Sequence, residues 1–208
     1  MYWEILDKKR LEAVSKFSFF REVGFYLAGG TALALQLGHR DSIDFDFFTE
    51  QDFDKEKITN YILENFKDVS NIQNDINTLT FIIEKDIKLS FFKYRYKLVG
   101  NIINTDSINV ASVEDIACMK LNAICNRNTL KDYVDLFFIL KKIPLEQLIE
   151  IIKIKMPEID PLLILKSLVY FDDIIQEPII FKTKEISITE IKEYIIKTVF
   201  DYQTNINQ

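Results

Sequence analysis

Apolar positions change their period along the chain, and each change predicts an element. From residue 8 to residue 22, Leu11, Val14, Phe17 and Phe20 recur close to helical spacing, which predicts an amphipathic helix. Phe25-Tyr26-Leu27-Ala28 is a short apolar run between Gly24 and Gly29-Gly30 and reads as a buried strand. Thr31 to Leu37 (TALALQL) consists of good helix formers and is closed by Gly38. Residues 42–48 alternate like a strand, and residues 54–66 read as a helix with Asp52 or Asp54 as its cap. LTFIIE (79–84) and IKLSFFKYRY (87–96) flank Lys85-Asp86 as a hairpin, and SINV (107–110) adds a short extended piece. Beyond residue 111 the texture turns helical. Ser112-Val-Glu-Asp115 has the form of a capping box and opens a helix to about Asn126. Thr129-Leu-Lys-Asp132 opens another, Pro144 falls where a first helical turn starts, and Ser187-Ile-Thr-Glu190 opens a last long helix. This order predicts an α+β protein: a mixed-sheet domain over 1–110, then a helical bundle domain over 111–208.

Composition narrows the class. A chain of 208 residues that is 48% hydrophobic and 28% charged is long enough and apolar enough to bury a core. With 5 Gly and 4 Pro it has no long flexible linker or low-complexity tract, and no repeat of solenoid length occurs. The N-terminal stretch MYWEILDKKRLEAVSKF carries charges throughout and does not read as a signal peptide. No apolar run approaches the roughly 20 residues that span a bilayer, so the expectation is a cytoplasmic protein without a membrane partner. Cys118 and Cys125 share a predicted helix about two turns apart, roughly 10 Å by helical rise. That is too far for a disulfide, and buried thiols are expected. His39 is the only histidine, and no Cys and His cluster resembles a zinc site. The net charge of −6 excludes non-specific coating of nucleic acid; such contact would need a local basic patch.

Against this background LAGGTALALQLGHRDSIDFDFF (27–48) stands out. Strand alternation would put Ile43, Phe45 and Phe47 on a core face and Asp44 and Asp46 together on the other. Two carboxylates that close repel each other unless a cation lies between them. Hard oxygen ligands at this spacing suit Mg²⁺ or Mn²⁺ bound together with substrate phosphates. Gly29-Gly30-Thr31 follows a strand and opens a helix, so the backbone can turn tightly and offer free N–H groups to a phosphate. Each piece alone has an ordinary reading: a turn, or the solvated face of a strand. Together they point to phosphoryl transfer chemistry.

The combination resembles the polymerase-β-type nucleotidyltransferase superfamily. Within it, LAGGTALAL, GHRDSIDFDFF and KDYVDLFFIL look like the AbiEii-type nucleotidyltransferase toxins of bacterial toxin–antitoxin systems, over roughly residues 25–140. The resemblance implies that Gly29, Gly30 and Thr31 hold the triphosphate of an NTP and that Asp44 and Asp46 bind the metal. Arg40 and Ser42 match the Arg-x-Ser that commonly precedes the metal pair: a phosphate contact for Arg40, and for Ser42 a nucleotide contact or a local hydrogen bond. Lys120 matches a lysine that reaches the nucleotide, or is a solvated lysine on an amphipathic helix. Arg127, Lys131 and Asp132 match an Arg…Lys-Asp signature near the nucleotide or acceptor. Their ordinary readings are a helix cap for Asp132 and an i,i+4 ion pair between Lys131 and Asp135.

The chain departs from the superfamily at Ser90, which stands in Lys88-Leu89-Ser90-Phe91-Phe92 where a third carboxylate usually lies. Asp132 could supply the missing acid, catalysis could be slow, or the chain could bind nucleotide without turnover. Lys93, Arg95 and Lys97 alternate with Tyr94 and Tyr96, as on a single-stranded RNA surface or an edge strand guarded by charge. The resemblance thus implies an Mg²⁺- or Mn²⁺-dependent enzyme that moves a nucleotide from an NTP to an acceptor, expected to be RNA, with a tRNA 3′ end as one candidate. An antitoxin would be its protein partner. The alternative is a degenerate nucleotide- or partner-binding protein on the same fold.

Overall fold

Phe17, Phe20, Phe45, Phe47 and Phe91 meet ring to ring at the centre of the N-terminal unit, with centroids 4.8 to 5.5 Å apart. Edge-to-face and tilted pairs dominate, as the aromatic quadrupole favours. The computed structural model describes Met1–Ile206 and divides into two compact units, Met1–Ser112 and Val113–Gln208. The architecture is α+β.

In the first unit the described residues form a seven-stranded mixed sheet in the order β3-β4-β5-β2-β1-β7-β6. The strands are β1 (Tyr26–Ala28), β2 (Phe45–Thr49), β3 (Ser70–Asp75), β4 (Thr78–Ile83), β5 (Ile87–Lys93), β6 (Ile103–Asn104) and β7 (Asn109–Val110). The helices are α1 (Lys8–Val14), α2 (Ser18–Glu22), α3 (Gly29–Leu37) and α4 (Lys55–Asn65). Alternation in β2 sends Phe45, Phe47 and Thr49 inward and leaves Asp46 and Phe48 half-buried on the other face. Phe48 stacks on Phe92 of the neighbouring β5 at 5.0 Å.

The predicted helix over 8–22 is broken. After Val14 the chain tightens into i→i+3 bonds, Lys16 N–H to the Ala13 carbonyl and Phe17 N–H to the Val14 carbonyl, both 3.0 Å. This turn carries Phe17 and Phe20 into the core while Leu11 stays exposed. Residues 42–44 are not strand, and Ile43 is 52% exposed rather than in the core. The Ile43 carbonyl accepts from Arg10 Nε at 3.1 Å and the Asp44 carbonyl accepts from the Thr31 hydroxyl. Side chains therefore take the acceptors that a strand ladder would use. β3 was missed because SNIQND is polar and exposed on both faces. β5 lies between β4 and β2, so its lysines do not guard a sheet edge.

Asp54 caps α4, accepting from Lys57 N–H at 3.0 Å. The β4–β5 turn carries Glu84 and Lys85 at φ 51° and 78°, a backbone region costly for L side chains. It is tied down by Lys9, which bonds the Glu84 carbonyl and the Asp86 carboxylate, and by Arg10 Nη2 on the Asp86 carbonyl at 3.3 Å.

The second unit packs α5 (Val113–Asn126) against α6 (Leu130–Leu140), α7 (Leu145–Lys155) and α8 (Pro161–Leu168). α9 (Ile188–Ile206) lies along α6, α7 and α8. Ser187 Oγ accepts from Glu190 N–H at 3.1 Å to open α9, and Asp160 Oδ1 accepts from Leu162 N–H at 2.8 Å to open α8. Pro144 is the residue before the first turn of α7 rather than within it. Cys118 is buried and Cys125 half-buried, both free thiols; burial pushes Cys118 up to about 12. Among the described residues no helix is long and apolar enough to cross a membrane.

Arg10 is 5% exposed and joins the α1 cap at Asp7, the hairpin turn and the segment before Asp44. Arg10→Met keeps the stem and removes every one of these bonds. It is expected to cost about 2–4 kcal/mol in urea unfolding, against under about 0.5 kcal/mol for the exposed Lys8→Met.

Candidate active site

β1 and β2 pair antiparallel with Ala28 opposite Asp46, so the chain leaves β1 beside that carboxylate and turns at once into α3. Gly29 makes the turn at φ 74°, and a Cβ there would lie 3.1 Å from Asp46 Oδ2. Only glycine meets both demands. Helix α3 begins at Gly29 with Ala28 as its cap residue, whose methyl side chain makes no capping bond. Its first N–H groups and its positive end therefore sit next to Asp46. A Cβ on Gly30 would come 2.7 Å from Arg40 Nη2 and 3.1 Å from Ser42 Oγ. Arg40 is 3% exposed, and its Nη1 donates to the Asp41 carbonyl at 2.8 Å. The guanidinium and the helix N-terminus together give this corner a positive character that suits an anion.

Thr31 and Ser42 bond each other beside the start of α3. Thr31 is 1% exposed; its Oγ1 lies 2.8 Å from Ser42 Oγ and bonds the Asp44 carbonyl. The pair pins the chain just before β2. Asp44 is half-buried and precedes the first strand residue, so strand alternation places Asp46 but not Asp44. In the parallel β2–β5 pair Ser90 lies opposite Asp46, where the sequence places the missing acid.

In the helical unit, Lys120, Arg127, Thr129 and Asp132 form one cluster. Lys120 Nζ bonds Asp132 Oδ1 at 2.8 Å and Asp135 Oδ2 at 2.6 Å. Arg127 Nε donates to Asp132 Oδ2 at 2.9 Å, and Thr129 Oγ1 donates to the same oxygen at 2.6 Å. The Thr129 side chain makes no capping bond to the helix backbone, so Asp132 belongs to a charge network rather than a capping box. Burial alone would raise the Asp132 carboxyl, but the Lys120 charge and the bonds from Arg127, Lys120 and Thr129 outweigh it and hold the group below 3.8. A carboxylate so held is a poor proton acceptor and a good anchor for two cations. Lys131 is not in the cluster and does not pair with Asp135; it forms an ion pair with Glu177. Asp135, fully buried on Lys120, was missed as a cluster member, although its i+3 spacing from Asp132 puts both on one helix face.

An open mixed sheet with a Gly-Gly helix start against a strand carboxylate defines a nucleotidyltransferase-like fold. Residues 17–194 match the AbiEii nucleotidyl transferase toxins of type IV toxin–antitoxin systems, and the chain belongs to that family. It is 40% identical over 187 residues to the Aquifex aeolicus (strain VF5) protein aq_aa25, covering 87% of this chain and 89% of that one. MenT4, a nucleotidyltransferase toxin from Mycobacterium tuberculosis H37Rv, has the same fold at a TM-score of 0.62 and 14% identity, over 91% of this chain and 80% of that chain. A crystal structure from H. pylori, proposed to be of a nucleotidyltransferase, superposes at a TM-score of 0.60 and 16% identity, over 97% of this chain and 98% of that chain.

Lys120→Met removes the cation shared by two buried carboxylates. Expected is a loss of about 3–5 kcal/mol near pH 7. In the wild type Asp132 is depressed, so its contribution is full above 3.8 and is lost as pH falls through the lower folded value. Without Lys120, burial favours protonation, so the variant's deficit should shrink between about pH 7 and pH 4.5 in urea unfolding. An equal deficit at both pH values would contradict the role given to Lys120.

Proposed function

We propose that the protein is a divalent-metal-dependent nucleotidyltransferase, transferring a nucleotide from an NTP to a hydroxyl of an RNA acceptor, with a tRNA 3′ end the leading candidate. The observation that carries this is the approach of Gly29 to Asp46: a Cβ would lie 3.1 Å from the carboxylate, between the start of α3 and a metal-type ligand. A triphosphate needs that pairing, with N–H donors for its oxygens and an anionic ligand for the cation it carries.

Mg²⁺ or Mn²⁺, when bound, would neutralise the phosphates and the charge that develops as pyrophosphate leaves. Asp44 and Asp46 would hold it. The N–H groups at Gly29, Gly30 and Thr31 would hold the phosphate oxygens, with Arg40 as the added charge. The acceptor oxygen forms a bond to the α-phosphorus, the bond from that phosphorus to the bridging oxygen of the β-phosphate breaks, and the hydroxyl proton passes to solvent. In the helical unit Lys120 would keep Asp132 ionised and Arg127, on the exposed side of that carboxylate, would be the cation offered to an anionic ligand, a role that rests on the family signature. Family membership supports a toxin role with an antitoxin partner in the cytoplasm, and the basic run at Lys93, Arg95 and Lys97 is the proposed acceptor contact.

A second reading, binding without turnover, is favoured by Ser90 alone. One experiment separates the two. The protein is incubated with each labelled NTP, Mg²⁺ and total tRNA beside Asp44→Asn and Asp46→Asn, with pyrophosphate followed in parallel. Expected is label on RNA and pyrophosphate release with wild type, a drop of at least about 100-fold in each variant, and melting temperatures close to wild type. Stabilisation by NTP without pyrophosphate would select the binding reading.

A further inference from the structure

Ser90 is 1% exposed, and its Oγ has no hydrogen-bond partner. A buried hydroxyl in that state is destabilising, so the fold alone gives no reason for it. Its neighbours Leu89 and Phe91 are fully buried and alternate to the opposite face. Ser90 itself lies opposite Asp46 across the parallel β2–β5 pair and opposite Thr80 across the antiparallel β4–β5 pair. Residues in register on adjacent strands share a face, with backbones about 4.8 Å apart. The unpaired hydroxyl is therefore buried on the face that carries Asp46.

The protein itself supplies little negative charge there. Among the described residues no third His, Cys, Asp or Glu gathers with Asp44 and Asp46 into a cage. Two carboxylates balance one divalent cation; a second cation would rest on phosphate oxygens and water alone. Mg²⁺ also gives up its waters reluctantly and usually keeps several. Such a water is a strong donor and needs an acceptor. A neutral hydroxyl beside Asp46, with nothing else to bond, meets that need without adding charge.

We propose that the Asp44 and Asp46 site takes a single divalent cation, and that Ser90 Oγ accepts a hydrogen bond from a water on that cation. The inference rests on the nucleotidyl-transfer reading and narrows it. Ser90 is a positioning residue that touches neither cation nor phosphate.

The test is electron paramagnetic resonance of the full chain with Mn²⁺ and an NTP analogue whose α–β bridge is a methylene. Expected for wild type is the signal of isolated Mn²⁺, without the spin coupling of two ions about 3.5–4 Å apart. Ser90→Ala should weaken Mn²⁺ binding about 10-fold, the loss seen when a second-shell partner goes, with a melting temperature equal to or above wild type. Ser90→Asp should produce the coupled pair. A coupled pair in wild type, or unchanged affinity in Ser90→Ala, overturns the proposal. Asp46→Asn distinguishes the two levels. If it abolishes the protein's Mn²⁺ site while Ser90→Ala does nothing, only this inference falls. If it too changes nothing, the reading of the site falls with it.

Discussion

The first unit depends on how closely a helix start can lie against a strand carboxylate. Ala28 pairs with Asp46, so the turn into α3 has no room to wander, and Gly29 turns at φ 74° with a would-be Cβ 3.1 Å from the carboxylate oxygen. Everything near it serves that approach. Thr31 reaches from α3 to the Asp44 carbonyl, and Arg10 reaches from α1 to the Ile43 carbonyl. Two side chains from different helices thus hold the segment that leads into β2, where a longer strand would have used backbone bonds. The advantage is local: a ladder fixes a residue to a sheet plane, whereas these contacts hold Asp44 just outside it. The aromatic core on the opposite face supplies the rigid backing, with Phe45 and Phe47 locked among Phe17, Phe20 and Phe91.

Local chemistry was legible wherever it was short in range. Gly38 ends α3 at φ 64°, Asp54 caps α4 and Ser187 opens α9, because each depends on residues within a turn of itself. The alternation in Phe45 to Thr49 was readable for the same reason. Long-range partners were not readable. Ile43 looked like a core residue until Arg10, far back in the chain, claimed its carbonyl. Lys131 and Asp135 have the spacing of an ion pair, yet Glu177 and Lys120 take them separately. Ser90 was legible as a departure from its family, but its lack of a partner appears only once β5 is set beside β2.

The helical unit shows why burial of charge alone does not mark a site. It holds two Lys–Asp assemblies of similar chemistry. Lys155 and Asp115 meet at 2.7 Å with both side chains at 0% exposure. Such a pair is sealed, contributes little net stability after desolvation, and serves to fix which helix faces meet. The Lys120 assembly shares the buried Lys and Asp but differs at one member: Arg127 bonds Asp132 while its own side chain remains 62% exposed. One end of that network is therefore wet.

That difference decides what each assembly can do. A sealed pair exchanges neither protons nor ligands without unfolding its surroundings. In the open assembly, Asp132 is held ionised by donors that remain when Arg127 swings away, since Lys120 and Thr129 stay on its two oxygens. Arg127 can then leave Asp132 at a modest cost if another anion receives it, because the carboxylate it abandons is still paired. A cation on a short tether, with a compensated partner behind it, is suited to meeting an anionic ligand. By that argument the exposed end of the cluster, rather than its buried carboxylates, is the part of this unit able to exchange partners with an anion from solvent.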